Sequence, residues 1–315
     1  MDLILFERQI KMRAVITGAT GAVGMALISE LISRDIEVLV LTRATSARSG
    51  RIPEHKLVKK IDCPLDKMCE LDLGDERYDM FFHLAWEGTT GAARNDMQLQ
   101  TRNIKHTMDA VSLAKRLGCM VFIGAGSQAE YGRVNGKLSS STPTFPENGY
   151  GMAKLCAGQM SRVMCKDSGI RHIWVRILSV YGAYDGENSL ITSTVRKLLC
   201  GEQTSFTAGE QVWDYMYSKD AAKAMVELAQ KGRDGGIYCL GSGKTRLLRE
   251  YVEIIRDKIA PGAHLGFGDV PYAEGQVMYL CADTSELIAD TAYVPSTEFE
   301  DGIDDVIEWY TNERK

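Results

Sequence analysis

Two side chains with complementary proton chemistry stand four residues apart in "ENGYGMAKL", residues 147 to 155: Tyr150 and Lys154. On an α-helix that spacing puts both on one face, one turn apart. A phenol with a pKa near ~10 is a poor base at neutral pH, and a neighbouring cation that stabilises the phenolate loosens its proton. The same spacing describes a solvated helix face carrying a half-buried tyrosine. The rest of the chain has to supply a reason for the chemistry.

A second constellation lies near the start. "VITGATGAVGMALISEL" places Gly18, Gly21 and Gly24 in a G-x-x-G-x-x-G spacing, after an apolar strand and at the head of a helix that begins with Ala22 and Val23. Glycine permits the tight turn and the close approach of backbone N–H groups to a pyrophosphate, and a helix N-terminus favours the negative charge. A plain strand-to-helix turn has the same composition, but the placement favours a dinucleotide. The second strand runs into "LVLTRATSAR", where an acid would bind an adenosine ribose 2′-hydroxyl. Thr42 and Arg43 stand there, with Arg48 beyond and no acid. Arginine binds a 2′-phosphate that a carboxylate would repel, so NADP(H) is expected ahead of NAD(H), unless Arg43 only faces solvent. "GSGKT", residues 241 to 245, imitates the end of a phosphate-binding loop. The full motif needs a glycine at the position of Tyr238, which speaks against ATP or GTP.

These segments need a scaffold. Short apolar runs alternate with helical stretches up to about residue 182: "MRAVITG", "IEVLVLTR", "YDMFFHLAW", "CMVFIGAGS" and "RHIWVRILSVYG" read as strands. Strands apolar throughout and separated by helices predict an α/β fold with a parallel sheet covered on both faces. Helices are expected from about Ala22 to Arg34, over "NDMQLQTRNIKHTMDAVSLAKRLG", around Tyr150, and over "NSLITSTVRKLLCG", "TRLLREYVEIIRDKI" and "GIDDVIEWYTNER". The looser order after Gly182 predicts a smaller, mixed C-terminal lobe. The polar loop "GRVNGKLSSSTPTFPENG" ends just before Tyr150 and could wall a pocket.

Bulk properties narrow the classes. The chain has 315 residues, enough for a large core, and a net charge of −5, which argues against nucleic acid and anionic membranes. The opening "MDLILFERQIKM" lacks the basic and long apolar regions of a signal peptide, and no stretch approaches ~20 apolar residues. Eight scattered cysteines form no C-x-x-C, and five histidines are dispersed. The expectation is a cytoplasmic, reduced, metal-free protein.

Taken in order, the motifs resemble the extended short-chain dehydrogenase/reductase family, in its nucleotide-sugar epimerase/dehydratase/reductase branch. The resemblance runs through "TGATGAVG", "HLAW" at 83 to 86, Asn103 in "RNIKHT", "GSQAEYG" at 126 to 132, "YGMAK" at 150 to 154, "RILSVYG" at 176 to 182, "WDYMYSKDAA" at 213 to 222 and "YCLGSGK" at 238 to 244. It implies a Rossmann-type doubly wound parallel sheet with a smaller C-terminal substrate lobe. The cofactor domain is expected over 12–182 plus about 209–241, and the substrate lobe over about 183–208 plus 242–315.

The resemblance also implies roles. Ser127, Tyr150 and Lys154 would form the catalytic triad, with the lysine binding the nicotinamide ribose and lowering the tyrosine pKa. Cofactor contacts are expected from Gly18, Gly21, Ala22, Val23, Gly24, Thr42, Arg43, Arg48, Asp62, Leu84 and Ala85, together with Tyr150 and Lys154. Substrate contacts are expected from Ser127, Gln128, Asn188 and Trp213. Asn103 would organise its helix. A homodimer is implied through the helices around 95–117 and 150–167, although Met108, Val111, Met160 and Val163 equally suit a core.

Departures from the family's sub-patterns select the reaction. Its 4,6-dehydratases follow the hydroxyl residue with Asp and Glu; here stand Gln128 and Ala129. Its 3,5-epimerase/4-reductases place a cysteine where Ala129 stands and a histidine in the region where this chain has "ENSLITSTV". What is left is reduction of the C4 ketone of a nucleoside-diphosphate 4-keto-6-deoxysugar by NADPH. The alternatives are an NAD-dependent 4-epimerase and a non-catalytic NADP-binding sensor or scaffold. Trp213 and Ala273 replace family basic residues, leaving Lys244, Arg246 and Arg249 as candidates to hold the substrate diphosphate.

Overall fold

The computed structural model describes residues 11–313. Most of the segment read above as lacking a signal sequence lies outside them. The elements run β1 (Arg13–Thr17), α1 (Ala22–Ser33), β2 (Glu37–Thr42), β3 (Val58–Asp62), β4 (Met80–His83), α2 (Met97–Arg116), β5 (Val121–Ser127), α3 (Gly149–Asp167), β6 (Arg171–Ile177), β7 (Ser179–Tyr181), α4 (Leu190–Leu199), β8 (Thr204–Phe206), β9 (Val212–Trp213), β10 (Tyr215–Tyr217), α5 (Ser218–Lys231), β11 (Gly236–Leu240), β12 (Arg246–Leu247), α6 (Leu248–Ile259), β13 (Leu265–Phe267), β14 (Tyr279–Leu280), α7 (Ser285–Thr291) and α8 (Phe299–Glu313).

Seven strands form one sheet in the order β11-β6-β5-β4-β1-β2-β3, all parallel. This is the expected doubly wound α/β fold. The order reverses beside β1, which opens a crevice at the strands' C-terminal ends, the usual ligand position in such sheets. Ala14, Val15 and Ile16 of β1 are fully buried because helices cover both faces. On one face Leu27, Ile28 and Leu31 of α1 pack with Met225 and Leu228 of α5; on the other, Val111 and Ala114 of α2 pack with Phe81 and Phe122.

Two features depart from the sequence reading. β3 carries Lys59 and Lys60 and pairs only with β2, so it is a charged edge strand without a continuous apolar run. "RHIWVRILSVYG" is two strands. After Ile177 the chain leaves the main sheet, and β7 pairs with β10. Later segments build short sheets, β12-β9-β14 and β13-β8, around a separate apolar cluster containing Tyr181, Ile191, Val195, Tyr251, Phe299 and Ile303.

"GSGKT" is a turn held from within. The fully buried Asp214 carboxylate accepts hydrogen bonds from Ser242 N, Ser242 Oγ, Gly243 N and Ala282 N. Two of its backbone donors, Ser242 N and Gly243 N, are engaged with that carboxylate and Lys244 N with Ser242 Oγ, and the chain continues into β12 rather than directly into a helix. Among the described residues no helix is long and apolar enough to cross a membrane, and no group of three metal-ligating side chains occurs.

Candidate active site

Each of the three early glycines meets a different demand. Gly18 has φ +75°, and a Cβ there would lie 2.4 Å from Ala85 N. At Gly24 a Cβ would lie 2.6 Å from Ala19 Cα, so this glycine lets α1 pack on its own turn. At Gly21 a Cβ would meet nothing within 4 Å. Gly21 caps α1 without a side-chain bond, and the first turn contains no acid. The helix therefore presents its N–H groups and positive end to an open space suited to an anion.

That space is part of a long groove. A cavity of about 530 Å³ is lined by Gly18, Gly21, Thr42, Arg43, Arg48, Leu84 and Ala85, among others. It adjoins one of about 300 Å³ that shares Gly18, Gly21 and Leu84 and adds Ala22, Val23, Gly24 and Ala125. The groove runs from the end of β2 past the glycine turn to the end of β5, and its open helix N-terminus and basic end fit the chemistry of a dinucleotide. No acid follows β2 in the sequence, but two approach its end from other segments: Asp62 from β3, paired with Thr42, and Glu87 from beyond β4, which meets Arg43 at 3.4 Å. Asp62 is drawn aside: its Oδ1 accepts the Ala44 N–H at 2.7 Å, and Cys63 lines the cavity instead. Asn103 pins the segment beyond β4, since its side chain exchanges two hydrogen bonds with the Glu87 backbone.

Tyr150 stands in the first turn of α3. Asn148 caps that turn by accepting the Gly151 N–H, and Asn95 accepts the Gly149 N–H. Ser127 lies at the end of β5, so sheet and helix bring Ser127, Tyr150 and Lys154 together. Burial raises the Tyr150 pKa; the Ser127 hydroxyl and the Arg94 guanidinium oppose the rise, and Glu130 adds to it.

Lys154, one turn further along α3, is buried. Its Nζ donates to the Ala125 carbonyl at 2.6 Å and sits 3.8 Å from the centre of the Trp86 ring. It is 5.9 Å from the centre of the Tyr150 ring, whereas the Arg94 guanidinium is at 4.5 Å. Burial pushes the Lys154 ammonium down to about 7, against the pull of Glu130. Of the two cations, Arg94 stands nearer the centre of the Tyr150 ring. The backbone carbonyl and the indole face hold the lysine to one side.

Ser127 is fixed from below. Its hydroxyl accepts the Ala129 N–H at 3.2 Å, and its own N–H donates to Glu130 Oε1 at 2.8 Å. Glu130 is fully buried and also accepts from Trp174 Nε1 and Arg176 Nε. The Ser-x-x-Glu spacing of a capping box was visible in "SQAE". Arg94 and Trp86 had no comparable signal, because only tertiary folding brings their segments over α3.

The remaining positions divide. Trp213 lines a cavity of about 360 Å³ in the C-terminal lobe with Phe206, Tyr215, Phe267 and Gln276, and its Nε1 donates to Ser179 Oγ. Gln128 lies beside Ser127 in a short 3-10 turn. Asn188 is exposed in the turn before α4 and lines neither the groove nor that cavity. Lys244 pairs with Glu298, and Arg246 pairs doubly with Glu300, while Arg249 meets Glu253 only at 3.8 Å.

Residues 14–241 match the model of the NAD dependent epimerase/dehydratase family. The dTDP-4-dehydro-6-deoxyglucose reductase of Escherichia coli is 24% identical over 310 residues, covering 93% of this chain and 96% of the relative. The dTDP-6-deoxy-L-talose 4-dehydrogenase (NAD(+)) of Aggregatibacter actinomycetemcomitans is 26% identical over 244 residues, covering 77% and 88%. A UDP-N-acetylglucosamine 4-epimerase from Methanobrevibacter ruminantium, solved with UDP-N-acetylmuramic acid, superposes with a TM-score of 0.87 at 22% identity, covering 96% of this chain and 99% of that one.

Proposed function

The chain belongs to the NAD dependent epimerase/dehydratase family, and from that premise we propose that it reduces the C4 ketone of a nucleoside-diphosphate 4-keto-6-deoxysugar with NADPH. The observation that carries this reading is the far end of the groove: Arg43 and Arg48 line it together with a single acid, Glu87, and no acid follows β2 in the sequence. That end suits a 2′-phosphate and hence the reducing dinucleotide pool.

The glycine turn, Thr42, Arg43, Arg48, Leu84 and Ala85 would hold the dinucleotide, with Lys154 on the ribose nearest the reacting centre. Bound there, NADPH supplies the hydride. Ser127 donates a hydrogen bond to the ketone oxygen, and Tyr150 gives that oxygen its proton. Residues 12–182 and about 209–241 serve the cofactor in this reading. Residues about 183–208 and 242–315 serve the sugar nucleotide, joined by the β9 stretch around Trp213, whose apolar cavity is the place for its base.

Met152, Cys156, Met160 and Val163 leave one side of α3 apolar and exposed, which supports a homodimer through that helix. Val111 is fully buried against the sheet and takes no part.

A second reading, the NAD-dependent 4-epimerase, is favoured by one observation: Glu87 already engages Arg43, which lessens that arginine's call on a phosphate. The test is a panel of nucleoside-diphosphate 4-keto-6-deoxysugars with NADPH. We expect NADPH consumption with one member of the panel and none with Tyr150→Phe. Tightly retained NAD+ and C4 epimerisation without net cofactor use would replace the reductase by the epimerase.

A further inference from the structure

We infer that Glu130 is a positioning residue for the reaction: its buried carboxylate, anchored on β6, locks the turn that holds the Ser127 hydroxyl as a donor toward the sugar's reacting oxygen. The inference deepens the proposed reaction and rests on Ser127 as the group that bonds that oxygen. Glu130 ends the 3-10 turn Gln128–Glu130, directly after β5, and is fully buried. Three donors converge on it. Its Oε1 accepts from Ser127 N at 2.8 Å and from Trp174 Nε1 at 3.0 Å, and its Oε2 accepts from Arg176 Nε at 2.6 Å. Shut off from solvent and held in this way, the carboxylate is a fixed anchor and not a proton carrier.

The fold makes room for that anchor. Trp174 and Arg176 lie on β6 opposite Gly124 and Gly126 of β5. A Cβ at Gly126 would stand 2.5 Å from Glu130 Oε1, and one at Gly124 would stand 2.3 Å from the Trp174 ring. A buried ion pair is weak evidence for stability, and its best-attested use is to fix one arrangement among several. The arrangement fixed here is that of Ser127. Its N–H is tied to Glu130, and its Oγ accepts the Ala129 N–H at 3.2 Å. With an acceptor site of the hydroxyl filled from the turn, its proton is left to donate. The same turn meets α3 beside Tyr150: a Cβ at Gly151 would stand 2.2 Å from the Ala129 carbonyl oxygen. The Glu130 charge favours the Lys154 ammonium and disfavours the Tyr150 phenolate, whereas its hydrogen bond goes to Ser127.

A double-mutant cycle in the full chain tests the coupling. Glu130→Gln keeps the shape of the side chain but turns an amide donor toward one of the three donors, which loosens the turn. With NADPH and the active nucleoside-diphosphate 4-keto-6-deoxysugar, kcat should fall about 10- to 100-fold, the cost of misplacing a group by about 1 Å. KM and the affinity for NADPH should change less than about threefold. In a Ser127→Ala background the same substitution should cost less than about twofold, because Ser127 transmits the effect. Trp174→Phe removes one donor from Glu130 and keeps a ring stacked on His172. It should give a smaller loss that also vanishes in the Ser127→Ala background, and it decides the matter where Glu130→Gln does not fold. Equal fold-losses with and without Ser127 overturn the inference, and so does an unchanged kcat in the folded variants. Crystal structures of the wild type and Glu130→Gln need no turnover: Ser127 Oγ should leave the Ala129 N–H in the variant, and an unmoved Oγ overturns the inference. If the wild type inverts C4 with retained NAD+ instead of consuming NADPH, the reductase reading fails, and the same cycle read on C4 inversion decides the role of Glu130.

Discussion

Replacing Lys154 by methionine should remove a cost that the fold bears near neutral pH. The ammonium is almost fully buried, and burial lowers its pKa from 10.5 to about 7. Below pH 7 the lysine is charged in both the folded and unfolded chains, so the desolvation penalty is felt in full. Between about 7 and 10.5 the unfolded chain binds a proton that the folded chain has shed, so this group makes stability rise with pH. The slope approaches ~1.4 kcal/mol per pH unit. From pH 6 to pH 9 the wild type should therefore gain about 3 kcal/mol relative to Lys154→Met. The Trp86 face and the Ala125 carbonyl offset part of the cost at every pH, so the pH dependence is the informative quantity. Urea unfolding of both proteins at several pH values measures it. A stability difference that stays flat across this range would refute the assignment of a strongly lowered pKa to Lys154.

Two further substitutions probe the frame. Gly18→Ala forces a Cβ into the Ala85 backbone at a positive φ and should cost more than about 3 kcal/mol of stability, whereas Gly21→Ala should leave the melting temperature of the free protein unchanged and reduce the rise that NADPH produces; calorimetry with and without NADPH separates the two, and equal behaviour would contradict the distinct roles. Asp214→Asn replaces a buried carboxylate that accepts four hydrogen bonds with a group that turns a donor toward donors, and should lower stability by about 3 kcal/mol in urea titrations without altering the affinity for NADPH.

What the sequence revealed follows from how local each signal is. The strands β1, β2, β4 and β5 are buried on both faces, and continuous apolar runs announce them. β3 has no such run because an edge strand tolerates Lys59 and Lys60. The glycine turn was legible because spacing and placement encode it. Its division of labour, with Gly18 against Ala85, Gly24 against Ala19 and Gly21 facing open space, needed coordinates. Helical period put Tyr150 and Lys154 one turn apart, and both lie on α3, yet helical period says nothing about rotamers. The lysine follows the Ala125 carbonyl and the Trp86 face, contacts made across 29 residues of chain in one case and a separate loop in the other. Arg94 reaches the phenol from 56 positions away by number, beyond any local pattern. "GSGKT" shows the reverse case, a local pattern whose meaning Asp214 decides from a distance.

In the proposed reaction NADPH delivers hydride to C4 of a keto sugar while Tyr150 supplies the proton. NADPH deuterated at the transferring position, incubated with the protein and the active nucleoside-diphosphate 4-keto-6-deoxysugar, tests it in one measurement of product by NMR and mass. One deuterium at C4 is expected for each NADPH oxidised. A C4-inverted sugar without deuterium, formed with no net loss of NADPH, would contradict it.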